Sequence, residues 1–260
     1  MTEKMVGSSP ASNIVVSLRG VSKAYENGTL ALSGFDFDVR DGEFVSLLGP
    51  SGCGKSTALR ILAGLADPSQ GAVEWTGAAR DLGFVFQEPT LMPWANVADN
   101  VRLPLKLAHA DEARANVAVA QALARVGLTE FAQSYPRELS GGMKMRVSIA
   151  RALATEPYLL LMDEPFAALD EITRFRLNND LLNVWRELRR TVVFVTHSVF
   201  ESVYLSQRIV VMTPRPGRVF AEIEVPAPYP REDRYRMSPE YAGYCRQVAD
   251  ALAGAMGDVS

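Results

Sequence analysis

The sequence predicts an α/β fold whose mostly parallel sheet is covered by helices on both faces, and three observations lead to it. Tyr158-Leu159-Leu160-Leu161-Met162 and Thr191-Val192-Val193-Phe194-Val195 are continuous rather than alternating apolar runs, the pattern of strands buried on both sides. Strand-like runs alternate with helix-like ones, residues 171–190 and 199–205 among them, as layered α/β folds require. The third is Gly49-Pro50-Ser51-Gly52-Cys53-Gly54-Lys55-Ser56-Thr57, lying between the apolar run 44–48 and the helical-looking stretch 58–63.

That nonapeptide fits G-x-x-x-x-G-K-[ST] in the strand, loop, helix setting a phosphate-binding loop needs. Its glycines let the backbone turn with no Cβ in the way, so successive N–H groups face one concavity, and the helix dipole adds to the pull on an anion. Lys55 reaches the β and γ phosphates as a point charge, and the Ser56 hydroxyl joins phosphate oxygens and water around Mg²⁺. A nucleoside triphosphate site is expected; the loop alone leaves kinase, GTPase, motor and pump open.

Composition narrows the partners. The chain has 260 residues, with Lys+Arg 27 against Asp+Glu 30 and a formal charge of -3, which lacks the basic excess that nucleic-acid binding demands. Its two cysteines, Cys53 and Cys245, are too few for a disulfide framework and fit a reducing compartment. No apolar core of a signal peptide precedes residue 13 and no run of about 18 apolar residues occurs, so a cytosolic chain able to dock on a membrane partner is expected.

In chain order, residues 1–12 read as a flexible tail, 14–18 as a strand, 20–28 as a loop and 35–39 as a half-buried strand of period two. Two roles fit Tyr25 in that loop: stacking on a nucleotide base, or packing on the surface. Residues 67–71 form a turn, and 72–75 and 82–86 are strands, the second ending at Gln87. Residues 88–100 are rich in Pro and small residues, and 100–139 carry helical periodicity through Val117, Leu123 and Val126, which indicates a helical insertion between two halves of a sheet. Ser140-Gly141-Gly142 opens a helix over 143–154. The strands 208–212 and 219–225 follow a short helix; 226–230 reads as a linker. Ser238-Pro239 caps a last helix with Tyr241, Tyr244, Val248 and Leu252 on one stripe, packed on the body or on a partner.

Asp163 ends a buried strand, where a carboxylate can hold Mg²⁺ opposite the phosphate loop. Glu164 points elsewhere and can orient or deprotonate water. Gln87 and His197 stop at inferred strand ends, the edge where ligands bind in open parallel sheets. The glutamine can reach a metal or a water. The histidine can bond a γ phosphate or serve as a capped core residue.

Gly49 to Thr57, Gln87, Leu139-Ser140-Gly141-Gly142-Met143, Leu159 to Glu164, Ala168-Leu169-Asp170 and His197, in this order, resemble the nucleotide-binding subunit of ATP-binding cassette (ABC) transporters. The resemblance spans about 14–225. It implies a P-loop NTPase with a RecA-like core, an N-terminal antiparallel β subdomain and an inserted helical subdomain at about 88–152, within a nucleotide-binding domain of 13–225 followed by a linker and helix at 226–260. It further implies a head-to-tail homodimer with two ATP molecules, each between the phosphate loop of one copy and the Ser140-Gly141-Gly142 helix start of the other. Tyr25 would stack on adenine, Glu164 position the water, His197 hold the γ phosphate and Asp170 arrange the contact between subunits.

Two positions depart from the family pattern. Met143 replaces its usual glutamine, removing a side-chain hydrogen bond toward nucleotide, and Ala167 replaces a serine hydroxyl. The phrases at 87–94, 140–146 and 213–217 are similar to importers of nitrate, sulfonate, taurine and thiamine-precursor pyrimidines. Such importers pair the ATPase with a membrane permease at the cytoplasmic face of the inner membrane, supplied by a solute-binding protein. Leu91, Met92 and Trp94 fit either a permease-docking surface or burial in the helical insertion. A soluble cassette ATPase acting on nucleic acid or ribosomes is the alternative, against which stand the single cassette and the lack of heptads. A GTP switch lacks its Asn-Lys-x-Asp motif.

Overall fold

The computed structural model describes residues 13–76 and 81–257, so the tail expected at 1–12 lies outside the described residues. The described residues open with β1 (Ile14–Ala24), β2 (Leu30–Arg40), β3 (Phe44–Leu48), α1 (Lys55–Leu62), β4 (Gln70–Trp75) and β5 (Leu82–Val85). A helical stretch follows, with α2 (Val97–Leu107), α3 (Glu112–Arg125) and α4 (Gly141–Leu153). Then come β6 (Leu159–Asp163), α5 (Glu171–Leu188), β7 (Thr191–Thr196), α6 (Val199–Leu205), β8 (Arg208–Met212), β9 (Val219–Glu224), α7 (Asp233–Arg236) and α8 (Pro239–Gly257).

The main sheet has the order β5-β6-β7-β3-β8-β9, parallel except for the antiparallel edge strand β9. Strands β3, β6, β7 and β8 are buried at every residue, as uninterrupted apolar runs require when helices cover both faces. Register fixes the functional edge: Leu48 pairs with Thr196 and Asp163 with Val195, so β3, β6 and β7 end together. Parallel strands place their C-termini side by side, which is where such sheets bind ligands.

A second sheet, β2-β1-β4, is antiparallel. Strand β1 runs through Gly20 to Ala24, where the sequence suggested a loop. Bulges around Leu18 to Val21 break the alternation, yet Val21 regains a core position and pairs with Phe35, so the true turn is confined to residues after Ala24.

Helices α2, α3 and α4 pack through Val101, Val119, Ala122, Leu123 and Val147. Val117, expected on the apolar stripe, is 57% exposed; Ala115 and Val119 carry the inward face of α3 instead.

The segment 226–232 is not a free linker. The Arg231 guanidinium, buried, donates to the carbonyls of Val203, Tyr204, Ser206, Val225 and Ala227, which pins the segment to α6 and the end of β9. Helix α8 then packs on the body through Tyr241 and Val248, and the Tyr241 hydroxyl donates to Phe200 O at 2.9 Å. None of the described helices is long and apolar enough to cross a membrane.

Candidate functional site

The glycine-rich turn leaves β3 at Leu48 and enters α1 at Lys55, with Gly52 at φ 75° and Gly54 at φ 111°. Gly54 is forced by space as well as by φ: a Cβ there would lie 2.7 Å from Ala31 O on β2. Cys53 is buried inside this turn, and burial pushes its thiol above the ordinary range. Desolvation outweighs the pull of Lys55 there.

Lys55 is buried, and its ammonium donates to Gly49 O at 2.8 Å and Pro50 O at 3.0 Å. The same nitrogen lies 3.3 Å from Glu164 Oε1. Ser56, one residue on, donates to Asp163 Oδ1 at 2.7 Å. Asp163 is buried at the end of β6, and burial pushes its carboxyl above the usual carboxylate range, against the lowering effect of the Ser56 hydrogen bond.

Glu164 occupies the left-handed region at φ 44°, a conformation uncommon for a non-glycine residue and concentrated at functional sites. Its N–H donates to Val195 O at 3.0 Å, which ties this strained residue to β7. Glu164 Oε2 lies 2.8 Å from His197 Nδ1, just past the end of β7. An ionised carboxylate can only accept, so Nδ1 carries the proton in that pair. The sequence left His197 between phosphate contact and core cap; it is 45% exposed at the side chain and its partner is Glu164.

Tyr25 stands beside the phosphate loop. Its hydroxyl lies 3.1 Å from Thr57 Oγ1, and with Thr29, Ala31, Lys55, Ser56 and Glu164 it lines a cleft of about 160 Å³ above the turn. Gln87 stands two residues beyond Val85, which pairs with Met162, and is exposed at the same sheet edge. Its side chain makes no protein hydrogen bond among the described residues.

Two groups of expected site residues lie apart from the cleft. Ser140 is exposed and caps α4, accepting from Met143 N at 3.3 Å. Asp170 is exposed and caps α5, accepting from Thr173 N at 2.9 Å, and that hydrogen bond holds its carboxyl below the usual range. The two caps are neighbours: a Cβ on Gly142 would lie 2.8 Å from Thr173 Cγ2, and one on Gly141 3.6 Å from Leu169 Cδ2. Among the described residues, those lining the cleft include none from 140–142 or 167–170.

Sequence reasoning missed Arg215. The loop between β8 and β9 brings it into the cleft, where Nε donates to Gly52 O at 3.0 Å. Only the contact between β2 and this loop, with Gly217 N donating to Ala31 O, reveals the approach.

Residues 32–167 match the ABC transporter family model. The chain is similar to the aliphatic sulfonates import ATP-binding protein of Bacillus cereus, 43% identical over 84% of this chain and 89% of that one. It is also similar to an uncharacterized ABC transporter ATP-binding protein of Methanocaldococcus jannaschii, 43% identical over 92% and 91%. A dimeric bacterial ABC transporter cassette superposes with a TM-score of 0.71 at 33% identity, covering 81% of this chain and 98% of that one. That cassette is also known as a dimer in a post-hydrolysis state bound to ADP and Pi. The phosphate-loop chemistry at one sheet edge and these likenesses agree: the chain belongs to the ABC transporter family and is one of its ATPase cassettes.

Proposed function

We propose that this chain is the ATP-hydrolysing subunit of an importer, bound to a separate permease at the cytoplasmic face of the membrane and working as a homodimer that closes on two ATP molecules. The observation that carries the shared site is the separation just described. The cleft holds Lys55, Ser56 and Glu164, whereas Ser140 and Asp170 sit together elsewhere on the chain, free to complete a second copy's cleft. A helix N-terminus capped by Ser140 and opened by two glycines suits a γ phosphate.

The donors fit Mg²⁺. Ser56 Oγ and Asp163 Oδ1 form an all-oxygen pair with one buried carboxylate. Among the described residues no three His, Cys, Asp or Glu gather as a metal cage, so phosphate oxygens and water would complete the shell. When bound, the ion neutralises charge on the β and γ phosphates; Ser56, Asp163 and Gln87 are the residues to hold it.

Lys55 exchanges Gly49 O, Pro50 O and the Glu164 carboxylate for phosphate oxygens. That exchange releases Glu164 Oε1 to accept from the attacking water, while His197 keeps Oε2 in place. Tyr25 stacks on the base beside Thr57.

Permease docking is supported by the helical side of the molecule. Trp94 is 78% and Leu107 71% exposed, and a groove of about 230 Å³ runs past Phe84, Leu103, Leu107 and Arg151. Arg151 also donates to Pro89 O and Thr90 O, fixing the segment that carries Trp94. The importer relative is named for aliphatic sulfonates, which supports a solute of that kind. The resemblance of the phrases at 87–94, 140–146 and 213–217 adds nitrate, taurine and thiamine precursors, delivered by a binding protein, and the acidic balance disfavours the nucleic-acid alternative. The test is the ATPase rate of the chain reconstituted with its permease, with each loaded binding protein added in turn. Stimulation by one of these solutes is expected; a rate indifferent to permease and to every binding protein contradicts the import role.

A further inference from the structure

We propose that Arg215 is a nucleotide ligand, meeting the phosphate chain of ATP beside Gly52 of the phosphate loop; this rests on the reading of the cleft given above. The argument begins with charge. Three charged side chains line the cleft: Lys55, Glu164 and Arg215. Lys55 and Glu164 lie 3.3 Å apart and pair with one another, whereas Arg215 is, among the described residues, the cleft-lining charge with no ion-pair partner. Its Nε is used on Gly52 O, and among the described residues its two terminal nitrogens have no hydrogen-bond partner and no acid within ion-pair distance. A planar fork with its terminal donors open beside a phosphate loop suits phosphate oxygens.

Presentation is built into the backbone. Arg215 stands between Pro214 and Pro216, whose rings fix φ. Thr213 Oγ1 donates to Pro216 O at 3.1 Å and accepts from Arg218 N at 3.0 Å, closing the loop on itself. The loop is then fastened to the site: Gly217 N donates to Ala31 O at 2.9 Å, Ser33 N donates to Gly217 O at 3.2 Å, and a Cβ on Gly217 would strike Cys53 O. A side chain held on such a rigid support loses little freedom when it meets an anion.

The experiment compares MgATP and MgADP binding to the wild-type full chain, Arg215→Gln and Arg215→Lys by calorimetry across a range of salt, with thermal unfolding measured without nucleotide. Arg215→Gln is expected to raise the Kd of both nucleotides about tenfold at low salt, the scale of one charge-assisted hydrogen bond. The gap narrows as salt rises, Arg215→Lys recovers part of it, and the nucleotide-free unfolding midpoint stays at the wild-type value. Equal Kd values overturn the proposal. So does a salt-independent loss accompanied by a lower unfolding midpoint, which would make Arg215 a brace for Gly52 only. Wild-type chain that binds neither nucleotide would instead overturn the reading of the cleft, and this inference with it.

Discussion

Glu164 Oε2 lies 2.8 Å from His197 Nδ1, across the boundary between the ends of β6 and β7. The parallel register that pairs Asp163 with Val195 creates this contact, and the strained φ of Glu164 aims it. In the proposed mechanism the imidazole keeps one carboxylate oxygen while Lys55, 3.3 Å from the other, gives that oxygen up to water when it turns to phosphate, so His197 acts there as a positioning residue. His197→Ala is therefore expected to lower kcat for ATP about ten- to hundredfold with KM changed less than threefold, the signature of an interaction felt in the transition state. Steady-state phosphate release measures it; a raised KM at unchanged kcat would instead favour a direct phosphate contact.

Asp163 links function to a pH-dependent stability. Because burial raises its native pKa above the unfolded value, the folded chain binds more protons in the window between the two values. Its stabilising contribution is complete below the ordinary carboxylate pKa and is lost as pH rises through the raised native one. Without nucleotide or metal, Asp163→Asn should unfold at a higher temperature than wild type at neutral pH, with the gap closing in acid. Thermal melts across pH check this; a variant less stable at neutral pH contradicts it.

Arg231 gives the C-terminal segment its anchor. Replacing it with Met leaves five buried carbonyls short of a donor, at a cost of about 3 kcal/mol or more. Denaturant unfolding should show this loss, and hydrogen exchange should quicken in 226–257 before it does in β3 or β7. Uniform exchange across the chain would contradict the anchoring role.

Gly142 is constrained by Thr173. Gly142→Ala places a Cβ 2.8 Å from Thr173 Cγ2 and should cost about 1–3 kcal/mol, and Gly142→Ala/Thr173→Ser should recover most of it. A double-mutant cycle reads the coupling; additive losses would show that the two helix starts do not press on each other.

How far the sequence speaks depends on the range of the forces involved. Strands β6, β7 and β8 were legible because burial on both faces writes an apolar residue at nearly every position. The phosphate loop was legible because its chemistry is local to nine residues. The second half of β1 was not, since bulges near Leu18 and Val21 break the period of two. The tethering of 226–232 was equally hidden: a proline-rich composition looks like a linker, and only the fold brings Arg231 to the carbonyls of α6. Tyr25 and Thr57 meet across 32 positions and Arg215 and Gly52 across 163, contacts for which no spacing rule exists. Asp170 and Ser140 stand out in the sequence by the motifs around them, while their neighbourhood through Thr173 and Gly142 belongs to the packing of α4 on α5.

The central claim is that each chain supplies half of the ATP site the other completes. Glu164→Gln keeps the shape of the side chain and removes its charge, so it should bind MgATP, slow hydrolysis at least a hundredfold and hold the closed pair. Light scattering of that variant at saturating MgATP measures the claim most directly. The account expects the mass of two chains with MgATP and of one chain after exchange into MgADP. A single-chain mass at saturating MgATP, with binding confirmed in the same sample, would contradict it.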